Sequence, residues 1–140
     1  MSIILLGLNY KTAPVEIREK VSLSKTHIQR NVEALRQLDG CKGIAILSTC
    51  NRTEFYMDAD DDERAVSSLL GFIGGYSGCA EELLQHLYVM KRRSAVEHLF
   101  TVAAGLDSMI LGESQIQGQV QDAYNYALEY NLSDSVLNTL

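Results

Sequence analysis

The chain has 140 residues, a length that suits one domain, and a formal net charge of −6. Hydrophobic residues make up 46% of it, enough for a packed core, which excludes a disordered chain, and no apolar run approaches the ~20 residues of a membrane span. An acidic balance also excludes a protein that grips nucleic acid broadly through phosphates, so any such contact rests on a local patch or lies elsewhere.

Met1 to Gly7 lacks a basic segment and a small-residue cleavage site, so it reads as a first strand over residues 3–9 and not as a signal peptide. Pro14 is the only proline and suits a helix start, which predicts a short charged helix from Val15 to Val21. Ser24 is an expected N-cap, and Ile28, Val32, Leu35 and Leu38 recur at helical spacing, which predicts one amphipathic helix over residues 25–38. Asp39-Gly40 closes it. Residues 43–49 read as the second strand and residues 53–58 as the third, with Phe55 and Met57 on one face and Tyr56 on the other. The short link between them predicts an antiparallel hairpin.

An acidic run from Asp58 to Glu63 leads into a helix carrying Val66, Leu69, Leu70 and Ile73, which Gly74-Gly75 is expected to stop. Leu83 to Met90 reads as a helical turn and a fourth strand. Lys91-Arg92-Arg93, the only basic run, reads as a solvated strand-to-helix turn. Ser94 to Glu97 has the pattern of a capping box opening a helix with Val96, Leu99, Phe100 and Ala103, and Gly105 ends it. A polar loop from Leu106 to Gln115 follows, then a helix with Ile116, Val120, Tyr124 and Ala127. The order predicts an α+β fold: a ferredoxin-like β-α-β-β-α-β antiparallel sheet with helices on one face, followed by additional C-terminal helices. Residues 132–140 read as the start of a helix that the chain does not finish, so a piece of a longer protein is expected.

Chemistry concentrates in Ser48-Thr49-Cys50-Asn51-Arg52. The buried run Gly43 to Leu47 places Cys50 where a strand runs out into a turn, at the edge of the core. Arg52 is a permanent cation with a planar fork of donors, and a nearby cation favours the reactive thiolate. Turn N–H groups suit an oxyanion. A small buried Cys beside a surface Arg is the plain alternative. His98 lies beside the apolar stripe of its helix and is either a core-edge histidine bonded to backbone or a proton donor and acceptor near the thiol. Three cysteines, Cys41, Cys50 and Cys79, are an odd number without metal-type spacing, which fits reduced thiols in a cytoplasm and no metal site.

Four blocks resemble the glutamyl-tRNA reductase family: Gly7 to Pro14 with Glu16-Ile17-Arg18-Glu19; Leu47-Ser48-Thr49-Cys50-Asn51-Arg52-Thr53-Glu54; Ala95 to Phe100; and Gly105 to Ser108 through Gly112 to Val120. They occur in the family's order along nearly the whole chain. The resemblance implies that residues 1–140 are an N-terminal catalytic domain that binds glutamyl-tRNA. It implies that the Cys50 thiolate attacks the ester joining glutamate to the tRNA 3′ end, and that NADPH then reduces the thioester to glutamate-1-semialdehyde for tetrapyrrole synthesis. His98 matches the assisting histidine. Thr49, Asn51, Arg52, Ser108, Glu113, Ser114, Gln115 and Gln119 match the substrate pocket. The family further implies an NADPH domain and a helical dimerisation domain beyond this chain, a homodimer, and glutamate-1-semialdehyde aminomutase as a candidate partner.

The chain departs from the family pattern at Tyr10, usually histidine, at Ser114, usually proline, and at Gln117 and Gln121, usually leucine and lysine. No Gly-x-Gly-x-x-Gly fingerprint occurs in these residues, so no NADPH site is expected here. Two other readings compete: a ferredoxin-like ligand-binding module with an incidental cysteine, and a cysteine hydrolase or acyltransferase using Cys50 and His98.

Overall fold

The computed structural model describes residues 2–103 and 119–125. Four strands form one antiparallel sheet: β1 (Ser2–Asn9), β2 (Cys41–Ser48), β3 (Arg52–Ala59) and β4 (Tyr88–Lys91), in the order β2-β3-β1-β4. The helices are α1 (Val15–Val21), α2 (Lys25–Arg30), α3 (Val32–Arg36), α4 (Asp62–Ser77), α5 (Ala80–Leu83) and α6 (Arg93–Ala103). Residues 119–125 are also helical.

The strand period of two builds two cores. Ile4, Leu6 and Leu8 of β1 join Phe55 and Met57 of β3 under Ile17, Ile28, Leu35, Leu69, Ile73 and Leu83, so α1 to α5 cover this face. Leu5, Leu47 and Tyr56 point the other way and pack with Ala95 and Val102 of α6 and with Ala123. The helices of the expected β-α-β-β-α-β unit thus share one face, and the additional C-terminal helices take the other. One face carries the first five helices, and α6 with residues 119–125 covers the other. The split of Phe55 and Met57 from Tyr56 agrees with the sequence pattern.

Three helix boundaries differ from expectation. The helix expected over 25–38 is broken at Asn31, whose backbone leaves the helical region (φ −111°, ψ 14°) and whose side-chain amide donates to the His27 carbonyl (2.7 Å). An Asn side chain competes in this way with helix backbone bonds. Gly74-Gly75 does not stop α4, which runs to Ser77 and is capped by Gly78 in the left-handed region (φ 71°). Gly74 instead lets α5 approach, since an added Cβ there falls 3.0 Å from Ala80 Cβ. The helix α6 starts at Arg93, ahead of the expected Ser94 cap, and Glu97 pairs with Arg93 (2.9 Å) instead of reaching back.

The basic run behaves as a turn: Lys91 ends β4 facing Asp62 (3.8 Å), and Arg92 turns the chain at φ 54°. Cys41 begins β2 just after Gly40, and Cys79 is buried in the turn after Gly78 that joins α4 to α5. Gly105, the polar loop, the departures at Ser114 and Gln117, and the helix start at 132–140 lie outside the described residues.

Candidate active site

The β2–β3 hairpin places Cys50 as expected, exposed in the turn that joins two buried strands. Thr49 organises that turn. Its N–H donates to the Arg52 carbonyl (2.7 Å), and its Oγ1 accepts from the N–H groups of Asn51 (3.1 Å) and Arg52 (3.2 Å). Three of the four turn amides are therefore committed. Among the described residues the Cys50 N–H makes no hydrogen bond, which leaves it as the turn's donor for an oxyanion. The loop after β1 braces the turn from below, with the Tyr10 N–H donating to the Asn51 carbonyl (2.8 Å).

Arg18 of α1 reaches the same turn and donates from Nη1 to the Cys50 carbonyl (3.3 Å). Its Nε is buried without a hydrogen-bond partner among the described residues. Arg18 is thus a cation at the Cys50 backbone. The cation expected in that position, Arg52, is only 2% exposed and stands 3.5 Å from Glu54. Its guanidinium is part of the sheet's interior, on the face that α6 covers.

On that face Arg52, Glu54 and Tyr56 follow one another at the strand period. Glu54 is fully buried and collects three donors. Tyr56 Oη donates to its Oε1 (2.8 Å), and Tyr88 Oη (2.5 Å) and His98 Nε2 (2.5 Å) both meet its Oε2. Burial raises the Glu54 carboxyl, but the hydrogen bond and charge of His98, the Tyr88 hydroxyl and Arg52 together outweigh it and hold the group below the usual range. The same burial, with the Glu54 charge beside it, pushes the Tyr56 phenol up, so it stays protonated and donating. His98 is therefore bonded to a carboxylate, not to backbone. Glu54 is four residues past Cys50, which puts it within ~13 Å of the Cys50 Cα at ~3.3 Å per strand residue.

Gln119 lines a cavity of about 210 Å³ with Ser24, Ile28, Ser48 and Asp122. Ser48 stands at the base of the Cys50 turn, where its Oγ accepts from the Leu23 N–H (2.8 Å) and meets Thr53 Oγ1 (3.1 Å). The structure thus brings Gln119 to the foot of the hairpin that carries Thr49, Cys50 and Asn51. Ser108, Glu113, Ser114 and Gln115 lie outside the described residues.

Sequence reasoning did not single out Glu54, Tyr88, Arg18 or Gly7 as site residues. Only Glu54 left a local signal, a charged residue alternating with Arg52 ahead of the apolar Phe55-Tyr56-Met57 run.

The family model for the N-terminal domain of glutamyl-tRNAGlu reductase matches residues 6–140. The chain is 45% identical over 141 residues to the glutamyl-tRNA reductase of Pelotomaculum thermopropionicum, covering 100% of this chain and 32% of that protein. It is 42% identical to that of Geobacter sulfurreducens, covering 99% of this chain and 32% of the other. The solved structure of glutamyl-tRNA reductase from Methanopyrus kandleri superposes with a TM-score of 0.74 at 32% identity, over 96% of this chain and 30% of that one. The chain spans about a third of the length of these relatives.

Proposed function

Since this chain belongs to the family of glutamyl-tRNA reductase N-terminal domains, we propose that it performs the acyl-transfer half of that enzyme's reaction. The Cys50 sulfur attacks the ester carbonyl that joins glutamate to the tRNA 3′ end. The C–S bond forms, the C–O bond breaks, and tRNA leaves as its free 3′ hydroxyl. His98 handles the proton, and Thr49, Asn51, Arg52 and Gln119, with Ser108, Glu113, Ser114 and Gln115, hold the glutamyl group. The observation that carries this reading is the exposed Cys50, whose own N–H is uncommitted among the described residues, with Arg18 on its carbonyl. That N–H suits the oxyanion of the tetrahedral intermediate.

Arg52 acts in this scheme from inside the sheet, as the counter-charge of Glu54. The sheet order β2-β3-β1-β4 supports reading the core as a ferredoxin-like unit, with α6 and residues 119–125 added on the second face.

In the whole enzyme the thioester is the species that NADPH reduces to glutamate-1-semialdehyde for tetrapyrrole synthesis. The described residues do not fit a dinucleotide. Their sheet is antiparallel and has no crevice at the ends of parallel strands, and the glycine-dense stretch Gly71 to Gly78 belongs to α4 and its cap. NADPH, the homodimer contact and any aminomutase contact are assigned to other parts of a longer cytoplasmic protein. No described helix is long and apolar enough to cross a membrane.

The test is deacylation of glutamyl-tRNA by the full-length protein without NADPH. Release of free glutamate that disappears in Cys50→Ser supports the reading. Release equal in both proteins, or in neither, overturns it.

A further inference from the structure

Across the middle of the sheet, Glu54 of β3, Gly7 of β1 and Tyr88 of β4 stand in one row, each the register partner of the next. The central member has no side chain. Tyr88 spans that gap to bond Glu54, and a Cβ on Gly7 would fall 2.9 Å from Glu54 Cγ. Glycine in a strand interior weakens the strand unless something needs the space. Here the space is filled by a carboxylate carrying a histidine.

We propose that Glu54 is a positioning residue, which grips His98 by Nε2 so that Nδ1 is the nitrogen that takes the proton of the Cys50 thiol and returns it to the leaving 3′ oxygen of the tRNA. This rests on the role given to Cys50 and His98 above and names the group and the atom behind it.

The chemistry of the cluster dictates the tautomer. An ionised carboxylate only accepts hydrogen bonds, so Nε2, at 2.5 Å from Glu54 Oε2, must carry hydrogen. The neutral ring then has its lone pair on Nδ1. Among the described residues Nδ1 makes no hydrogen bond, and the side chain of His98 retains 12% exposure while Glu54 has none. The ring is also held against rotation, since Tyr88 packs on it with centroids 5.6 Å apart at 55°. Arg52 already supplies the counter-charge of Glu54. A purely structural ion pair would be complete without the histidine. Among the described residues, the titratable groups packed on this assembly are Arg52, Glu54 and Tyr56 from β3 and Tyr88 from β4.

The experiment is single-turnover acylation of Cys50 by glutamyl-tRNA in the full-length protein, across the pH range in which histidine titrates. Wild type is compared with Glu54→Gln, Glu54→Asp, Tyr88→Phe and His98→Gln. A neutral Nδ1 makes the rate rise with pH. Glu54→Gln removes the anion that holds Nε2–H, so it should lower the plateau by at least about tenfold and displace the rising limb. Glu54→Asp keeps the charge and should return the limb toward the wild-type midpoint, with a lower plateau. His98→Gln keeps an N–H donor for Glu54 but loses Nδ1, and should abolish the limb.

A folded Glu54→Gln with its limb unmoved and its plateau within about twofold of wild type overturns the inference while leaving His98 in place. Should both Glu54 variants fail to fold, Tyr88→Phe decides: a shifted limb supports the inference and an unshifted one overturns it. A wild-type rate and limb in His98→Gln overturns the earlier role of His98, and this inference with it.

Discussion

Gly7 lies directly across the β1–β3 ladder from Glu54, and a methyl group there would meet both the Glu54 side chain at 2.9 Å and the Thr53 carbonyl at 2.9 Å. The obstruction is partly backbone, so a rotamer change at Glu54 cannot relieve it. Gly7→Ala should destabilise the domain by about 1–3 kcal/mol, as overpacking does. It should also slow Cys50 acylation by displacing Glu54. Urea unfolding beside an acylation assay checks both. A variant as stable and active as wild type would mean that the row across the sheet is not tightly fitted.

Arg52 is a second place where burial decides the outcome. The Arg52–Glu54 pair has side chains 2% and 0% exposed, so removing one partner strands the other's charge away from water. Arg52→Ala should cost about 3–5 kcal/mol. Arg52→Lys keeps the charge but loses the planar fork, and should give intermediate stability with impaired acylation. Denaturant midpoints rank the three proteins, and equal midpoints for Arg52→Ala and wild type would remove the buried pair from the account.

Stability should follow the Glu54 carboxyl in acid. Its folded-state value lies below the ordinary 4.5 because His98, Tyr88 and Arg52 outweigh the effect of burial. A depressed carboxyl contributes stability that is present above its unfolded value and is lost as pH falls through its folded value. The stability gap between wild type and Glu54→Gln should therefore be constant above about pH 4.5 and shrink as the solution is made more acidic. Denaturant titrations at a series of acidic pH values measure it. A gap independent of pH would show that Glu54 does not titrate with the fold.

The turn itself depends on one hydroxyl. Thr49 Oγ1 accepts two backbone N–H groups, so Thr49→Val should lose about 1–2 kcal/mol and slow acylation, while Thr49→Ser should keep both properties near wild type. Thermal melts and the acylation rate test the pair. A valine variant as active as the serine variant would detach the turn's geometry from the chemistry.

Local patterns in this chain reported some features well. The alternation in β3 placed Phe55 and Met57 opposite Tyr56, the short link announced the hairpin, and an apolar run ending at Ser48 put Cys50 at the core's edge. Boundaries set by tertiary contacts were not legible. Gly74-Gly75 looks like a helix stop, but Gly74 faces α5 inside a continuing helix, and Asn31 interrupts a regular apolar stripe through a side-chain bond. At the site, the pattern could show that Arg52 and Glu54 share a face. It could not show that α6, some 40 residues later, would lay His98 on Glu54, because that contact depends on sheet order and on the gap at Gly7. The same dependence hid the approach of Arg18 to Cys50.

The most direct test of the central claim is mass spectrometry of the protein after brief incubation with glutamyl-tRNA, wild type beside Cys50→Ser. The account predicts a glutamyl adduct on Cys50 in wild type and none in the variant. An adduct of equal yield in Cys50→Ser, or one mapped to Cys41 or Cys79, would contradict it.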